Sequence, residues 1–246
     1  MNREWLYGRQ AVREVLRAGR RPVFLLRIAT GAQEHGVLAE ILALARRKEL
    51  RVEHVTRDEL DRLGANHQGV AVQAGEYPMV EFSDLLEKCE RAGPAALLLI
   101  LDQIQDPQNL ASLLRTAEAA AVTGVLLPFR RAAGITAAVV NASAGAVEHL
   151  QIAQSNLAQA IAEIKSREIW VAGLDAGPDA RPLFDADLTG PMAWVVGSEG
   201  EGLRPLVRKS CDVLYRLPMA GSISSLNAAV AGSIALYHVL FRRSTR

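Results

Sequence analysis

The 246-residue sequence predicts an α/β protein, a small α/β module followed by a larger domain built on a parallel sheet. Three observations carry this expectation. Short apolar runs alternate with segments of helical period along the chain, as strand–helix–strand units do. The run Ala95-Ala96-Leu97-Leu98-Leu99-Ile100-Leu101 is continuously apolar, as a strand buried on both faces requires. Half of the residues are hydrophobic and 22% are charged, a composition that folds rather than stays disordered.

Residues 1–75 supply the small module. Arg9, Arg13 and Arg17 lie four apart, so a helix over about 8–17 stacks them on one face and turns Val12, Val15 and Leu16 to another. Gly19 suits the end of that helix. Residues 23–28 read as a strand, and Leu38, Ile41, Leu42 and Ala45 fit a helix over about 34–49. A short strand at 51–55 comes next. Thr56 and Glu59 then have the spacing of a capping box and open a further helix. Residues 69–74 read as another strand. Residues 76–93, with Pro78 and Gly93 inside and Pro94 just beyond, show no strong period and are expected to form a linker.

The domain over 94–246 is expected to carry strands at 95–101, 124–129, 148–153, 169–174, 192–197 and 212–217. Helices at about 108–122, 155–167, 203–210 and 224–241 fill most of the gaps, so the sheet should be covered on both faces. No internal repeat or low-complexity tract is evident.

Several function classes are excluded early. No apolar run reaches about 18 residues, so no membrane span is expected. Met1-Asn2-Arg3-Glu4-Trp5 has no apolar signal core, and Cys89 and Cys211 form no CxxC pair. Together these suggest a cytoplasmic chain without disulfides. The five histidines make no HxxxH or HExxH pattern, so no metal site is expected. Trp5, Trp170 and Trp194, in a chain with 5% aromatics, suggest no base-stacking platform of the kind found on RNA-recognition sheets.

The formal charge of +1 hides an asymmetry: residues 1–75 carry 13 Lys+Arg against 9 Asp+Glu, residues 76–246 carry 15 against 18. Of the 28 basic residues only 4 are Lys. Arginine's planar fork matches phosphate, although a GC-rich genome gives the same bias. The helical row Arg9, Arg13, Arg17 is either a surface that tracks phosphates or an ordinary solvated face.

Ligands of parallel sheets bind outside the carboxyl ends of strands. Three strand ends here are rich in polar residues and glycine. The first runs from Asp102 through Asp106-Pro107-Gln108-Asn109 to Arg115-Thr116-Ala117, with Pro107 suited to the first turn of a helix. Asn109 and Arg115 are about 1.7 turns apart, so both can face one cleft. Alternatively, Asp106 simply caps the helix and Arg115 is a surface ion-pair partner. The second, Gly197-Ser198-Glu199-Gly200-Glu201-Gly202, permits close backbone approach to a ligand. It lacks the Lys-Ser/Thr of a phosphate loop, and its acids argue against nucleoside triphosphates. The third, Leu217-Pro218-Met219 through Ser225-Leu226-Asn227, places Ser225 and Asn227 at the edge of a buried helix, where polar groups need partners. That helix is rich in Ala and Gly, which suits close packing in a core or a dimer.

In this order and spacing, the three stretches resemble motifs one, two and three of the SpoU (TrmH) family of SPOUT methyltransferases. One departure is Leu110-Ala111, where the family usually has Leu-Gly. The resemblance covers roughly residues 95–241. Gly8-Arg9-x-Ala11-Val12 and His67-Gln68-Gly69-Val70 also resemble segments of the ribosomal-protein-like substrate-binding domain joined to some members. The resemblance implies a knotted C-terminal SPOUT domain, a homodimer, and methylation of a ribose 2′-hydroxyl in RNA from S-adenosyl-L-methionine, without a metal. The two-domain layout is most similar to members that modify a guanosine in large-subunit (23S) ribosomal RNA. Alternatives are a transfer-RNA ribose methyltransferase, an adenosine-specific resistance-type enzyme and a non-catalytic RNA-binding protein. The family pattern makes Asn109, Arg115, Glu199, Ser225 and Asn227 the catalytic set and Gly197, Leu217, Met219 and Leu226 the donor-binding set. Arg9, Arg13, Arg17, His67 and Gln68 become the RNA-binding candidates. Because a guanidinium is a poor base, Arg115 is expected to clamp a phosphate, with Glu199 orienting it.

Overall fold

A computed structural model describes residues 2–245. The chain divides into two compact units. One holds the chain up to Pro78 together with Gly134–His149, and the other holds Met79–Ala133 and the chain from Leu150 onward.

The elements run β1 (Arg3–Tyr7), α1 (Arg9–Ala18), β2 (Val23–Ala29), α2 (Val37–Arg47), β3 (Val52–Val55), α3 (Arg57–Asp61) and β4 (Val70–Gly75). Then come α4 (Phe82–Ala92), β5 (Leu97–Asp102), α5 (Pro107–Ala119), β6 (Gly124–Pro128), α6 (Ala137–Ala142) and β7 (Ile152–Ser155). The chain ends with α7 (Leu157–Ser166), β8 (Trp170–Leu174), β9 (Arg181–Pro182), β10 (Met192–Gly197), α8 (Pro205–Ser210), β11 (Val213–Arg216) and α9 (Ala228–Ser244).

In the first unit, a four-stranded sheet has the order β1-β4-β2-β3, with only β2 and β3 parallel. Cross-strand register puts Leu6, Leu26, Ile28, Val70 and Val72 on one face, where all are buried. Helix α1 turns Ala11, Val12, Val15 and Leu16 inward and ends on Gly19 in the left-handed region, as the sequence suggests. Thr56 and Glu59 form the expected capping box of α3. Leu60 of α3 packs with Ala29, Val55 and Ala71 on the other side of the sheet.

Gly134–His149 joins this unit through specific contacts. A Cβ at Gly145 would fall 2.7 Å from the Glu14 Cβ and 3.0 Å from the Ala11 Cα, so glycine permits the approach to α1. Asn141 Nδ2 donates to the Tyr7 carbonyl at 2.7 Å. Arg21 and Glu148, both with fully buried side chains, form a two-pronged pair at 2.7 and 3.1 Å. Arg21 also donates to Glu4 at 2.6 Å and to the Gly75 carbonyl at 3.0 Å. Burial pushes the Glu148 carboxyl above its usual range, with Arg21 pulling the other way.

The second unit is a seven-stranded, all-parallel sheet in the order β7-β6-β5-β10-β8-β11-β9. Every residue of β5 and β10, side by side near its centre, is buried. On one face Leu98, Ile100, Ala193 and Val195 meet Leu85 and Leu86 of α4, Ile161 of α7 and Val207 of α8. On the other, α9 packs on α5 and β10. A Cβ at Gly232 would fall 2.6 Å from Leu113 Cδ2, so the small residues of α9 serve close helix packing here.

Three expectations need correction. Residues 76–93 hold α4, whose Leu85, Leu86 and Cys89 are core residues. The module of residues 1–75 extends to Pro78 and includes Gly134–His149, bound by the ion pair described above. The strand expected at 148–153 begins at Ile152, because Ala146–His149 form a 3-10 turn that delivers Glu148 to Arg21.

Candidate functional site

The three singled-out strand ends converge within the second unit. At the first, Asp106 accepts a hydrogen bond from the Asn109 N–H at 3.0 Å and caps α5, with Pro107 in the first turn. Gln103, directly after β5, is nearly buried and holds φ 62, a left-handed conformation unusual for its type. This turn fixes where α5 starts and hence where Asn109 lies.

At the second, Gly197 lies opposite Asp102 in the β5–β10 register. The loop closes on itself through Ser198 N–H to the Gly202 carbonyl at 3.1 Å and Gly202 N–H to the Ser198 carbonyl at 3.0 Å. Gly200 and Gly202 have φ of 82 and 67, which glycine adopts without strain. A Cβ on Gly197 would run into the carbonyl group of Gly202 and come within 2.6 Å of the Leu203 nitrogen. Just past the loop, the fully buried Asp102 accepts from Arg204 Nε at 2.6 Å and from the Arg204 N–H at 2.9 Å. Sequence reasoning missed this clamp; the only signal was an acid at the end of an otherwise apolar strand.

At the third, Asn227 caps α9: its Oδ1 accepts from the Ala229 and Val230 N–H groups at 2.9 and 3.1 Å. Its Nδ2 donates to Asn109 Oδ1 at 3.0 Å and to Glu199 Oε1. Asn109 Nδ2 also donates to Glu199 Oε1, at 3.0 Å. One carboxylate oxygen thus gathers two amides, so Asn109, Glu199 and Asn227 form a single network.

Arg115 does not join it. The side chain is exposed and makes no hydrogen bond or ion pair among the described residues. Glu199 makes no hydrogen bond or ion pair with Arg115; its Oε1 accepts from the two amides instead. Ser225 is exposed and lines the cavity described next.

Outside the ends of β8, β10 and β11 lies a cavity of about 650 Å³. Gly197, Leu217, Met219 and Leu226, the expected donor-binding set, all line it, as do Glu199 and Ser225. Leu174, Val196, Ala228 and Ala231 add apolar wall, and Asp175, Ser198 and Arg216 add polar groups. Asp175 and Arg216, which the sequence did not single out, close the β8 and β11 side. Asp175 is held by Arg208 Nε at 2.9 Å and by the Gly177 N–H at 2.7 Å. The volume and the mostly apolar lining with a few placed polar groups suit a cofactor-sized ligand. Among the described residues, no three His, Cys, Asp or Glu side chains gather as a metal would need. Burial pushes the thiols up, Cys89 to about 11 and Cys211 to about 12, so neither is a ready nucleophile.

The RNA-binding candidates of the first unit are largely engaged within it. Arg13 pairs with Glu14 at 2.7 Å, and Arg17 with Glu40 at 3.1 Å and Glu14 at 3.4 Å. Arg9 donates through Nε to the Gln68 carbonyl at 3.1 Å, and its N–H donates to Gln68 Oε1 at 2.9 Å. His67 is nearly buried; its Nδ1 accepts from the Gly69 N–H at 2.9 Å, which leaves the proton on Nε2, 3.0 Å from Asp61. His67 and Gln68 thus shape the turn that seats α1.

Comparison with known proteins agrees with this architecture. Residues 96–237 match the SpoU rRNA Methylase family, and residues 5–80 match the RNA 2′-O ribose methyltransferase substrate binding domain. The chain is 39% identical over 244 residues to a putative TrmH family tRNA/rRNA methyltransferase, YacO, of Bacillus subtilis, covering 98% of this chain and 96% of that one. It is 38% identical over 244 residues to the 23S rRNA (guanosine-2′-O-)-methyltransferase RlmB of Xylella fastidiosa, covering 98% and 97%. Among solved structures, the SpoU methyltransferase AviRb of Streptomyces viridochromogenes, in complex with AdoMet, shares the fold with a TM-score of 0.82. The match has 24% identity and covers 99% of this chain and 92% of that one.

Proposed function

The chain belongs to the SpoU rRNA methylase family, and we propose that it methylates a ribose 2′-hydroxyl in structured RNA using S-adenosyl-L-methionine. The observation that carries this reading is the Asn109–Glu199–Asn227 network, whose carboxylate also lines the 650 Å³ cavity. The cavity fits the donor in chemistry. Leu217, Met219 and Leu226 suit adenine and a thioether-like chain, and Asp175 and Glu199 suit cationic groups. Arg216 suits a carboxylate.

The donor supplies a methyl group already activated on a sulfonium, so the protein's task is to position the hydroxyl and accept its proton. Asn109 and Asn227, tied to one oxygen of Glu199, are placed to orient the ribose. Glu199 is the group in this network able to take a proton. Arg115, exposed and without a hydrogen-bond or ion-pair partner among the described residues, clamps the phosphate next to the target ribose and favours the developing alkoxide. Ser225 bonds substrate or donor from the cavity wall. Arg9, Arg13 and Arg17 add to the attraction for RNA, with part of their charge spent on Glu14 and Glu40.

The preferred substrate is a guanosine in 23S ribosomal RNA, which the 38% identity to RlmB of Xylella fastidiosa favours over transfer RNA. The chain works as a homodimer in this reading. Val230, Tyr237 and Phe241 form an exposed apolar stripe on α9, beside Ile234, that a second copy would cover. A knotted C-terminal segment is part of the same proposal. No helix of the described residues is long and apolar enough to cross a membrane, which is compatible with work on cytoplasmic RNA. Ribose-methylation mapping of RNA from cells lacking the gene tests substrate and reaction together. Loss of one guanosine mark in 23S RNA is the expected result, and an unchanged map would overturn the proposal.

A further inference from the structure

Against the expectation drawn from the low aromatic content, we propose that the part of the sheet face in the first unit that α3 leaves uncovered is a stacking platform for two unpaired RNA bases. The proposal rests on the RNA-modifying reading above and names a surface that would hold the substrate.

Cross-strand register places Arg3 and Trp5 of β1, Gln73 of β4, Leu25 and Arg27 of β2 and Glu53 of β3 on one face. It is the face opposite Leu6, Leu26 and Val72. The strand between β1 and β2 contributes Gly75 and Ala71 here, and such small residues let long side chains cross it. Two arginines do so. The Arg3 guanidinium carbon lies 4.1 Å from the centre of the Phe24 ring, and that of Arg27 lies 4.7 Å from the Trp5 ring. Phe24 sits at a register shift between Val23 and Leu25, an irregularity that re-aims side chains. Arg3 also donates to Gln73 Oε1 at 3.5 Å. Trp5, Phe24 and Arg27 are half-buried and Arg3 is exposed, so the stacked pairs stay within reach of a ligand.

Charge selects the occupant. Arg3, Arg27 and Arg51 share this face with Glu53, which Arg27 meets at 3.4 Å and Arg51 at 2.8 Å, and with Glu59 of α3, whose carboxylate feels the charge of Arg27. Positive charge in excess, laid on aromatic rings, suits a polyanion with flat bases. An apolar protein surface would instead have to strip water from the guanidiniums. Each arginine held over a ring is a planar, pre-oriented surface on which a base stacks. Bases inside a duplex are not available for such stacking, so the ligand is unpaired RNA. The arginine row of α1 offers less, because Glu14 and Glu40 already pair with it.

The test titrates the full chain with a fluorescein-labelled, unstructured oligoribonucleotide. Arg3→Gln and Arg27→Gln should each weaken binding about 5- to 10-fold and together about 50-fold, the scale of losing stacked contacts. In a Trp170→Phe background, RNA should quench the emission of Trp5, since Trp194 is fully buried. Denaturation midpoints and S-adenosyl-L-methionine binding serve as folding controls. Wild-type RNA affinity in the folded double variant would overturn the proposal. So would a change in oligomeric state with RNA affinity intact, which would make the face a protein contact. A wild-type chain that binds RNA through this face but ignores the donor would leave the platform standing and sink the enzymatic reading instead.

Discussion

Gly197→Ala probes how tightly the second motif is built. The residue does not use a left-handed φ, so the added methyl is itself the perturbation. That methyl runs into the Gly202 carbonyl and comes within 2.6 Å of the Leu203 nitrogen, all of it backbone with no side chain to swing away. The loop can yield by giving up the paired Ser198–Gly202 hydrogen bonds, at about 1 kcal/mol each, or stay and accept overpacking of about 1–3 kcal/mol. Retreat of Leu203 is further resisted because Arg204 is fastened to the buried Asp102. We expect a loss of about 2–4 kcal/mol in stability by chemical denaturation. In calorimetric titration, S-adenosyl-L-methionine should bind at least about 10-fold more weakly, because Gly197 lines the cavity. Gly221→Ala is the control: its Cβ would meet open space, and stability should change by about 0.5 kcal/mol or less. A Gly197→Ala protein with wild-type stability and donor affinity would refute the claim that this crossing shapes the pocket.

Other residues give equally direct readouts. Arg243 donates to the carbonyls of Ala95, Ala96, Leu188 and Gly190 at 2.7–3.2 Å, so Arg243→Met should lower the unfolding free energy by about 2–4 kcal/mol. Asn227→Ala removes the α9 cap and should cost about 1 kcal/mol in denaturation. Asn227→Asp keeps the cap acceptor but sets a second carboxylate against Glu199, so it should retain more stability than the alanine variant while losing methyl transfer. Glu148 has its carboxyl raised by burial, so the folded state holds its proton at a pH where the unfolded chain has released it. Stability of the first unit should therefore fall as pH rises above the ordinary glutamate range toward the raised value, and Glu148→Gln should flatten that part of the denaturation profile.

Much of the architecture was legible because local signals and burial agree. The run around Leu97–Leu101 is apolar on both sides because β5 lies in the middle of a sheet covered on both faces. Thr56 and Glu59 cap α3 with their own side chains, a contact spanning three residues. Helix α4 was missed although Phe82, Leu85, Leu86 and Cys89 have helical spacing, because flanking Pro78, Gly93 and Pro94 outweighed a short pattern. Gly197, Leu217, Met219 and Leu226, which the family resemblance singled out, line one cavity, since the strand ends that carry them meet there. Asp102 and Asp175 were not legible, since each acts through an arginine far along the chain, Arg204 and Arg208. The aromatic–arginine pairs of the first sheet were not legible either. Arg3 and Phe24 become neighbours only once β1 and β2 flank β4.

The Arg21–Glu148 pair spans 127 positions of sequence. During synthesis, Arg21 emerges soon after its partner Glu4 but long before Glu148, its fully buried partner, is made. At roughly 5–20 residues per second, the 70 residues between Pro78 and Glu148 take about 4–14 s to be added. The first unit is therefore complete only once Gly134–His149 has been added. A fragment cut near residue 78 would keep the Arg21–Glu4 contact and lose the buried Glu148 partner.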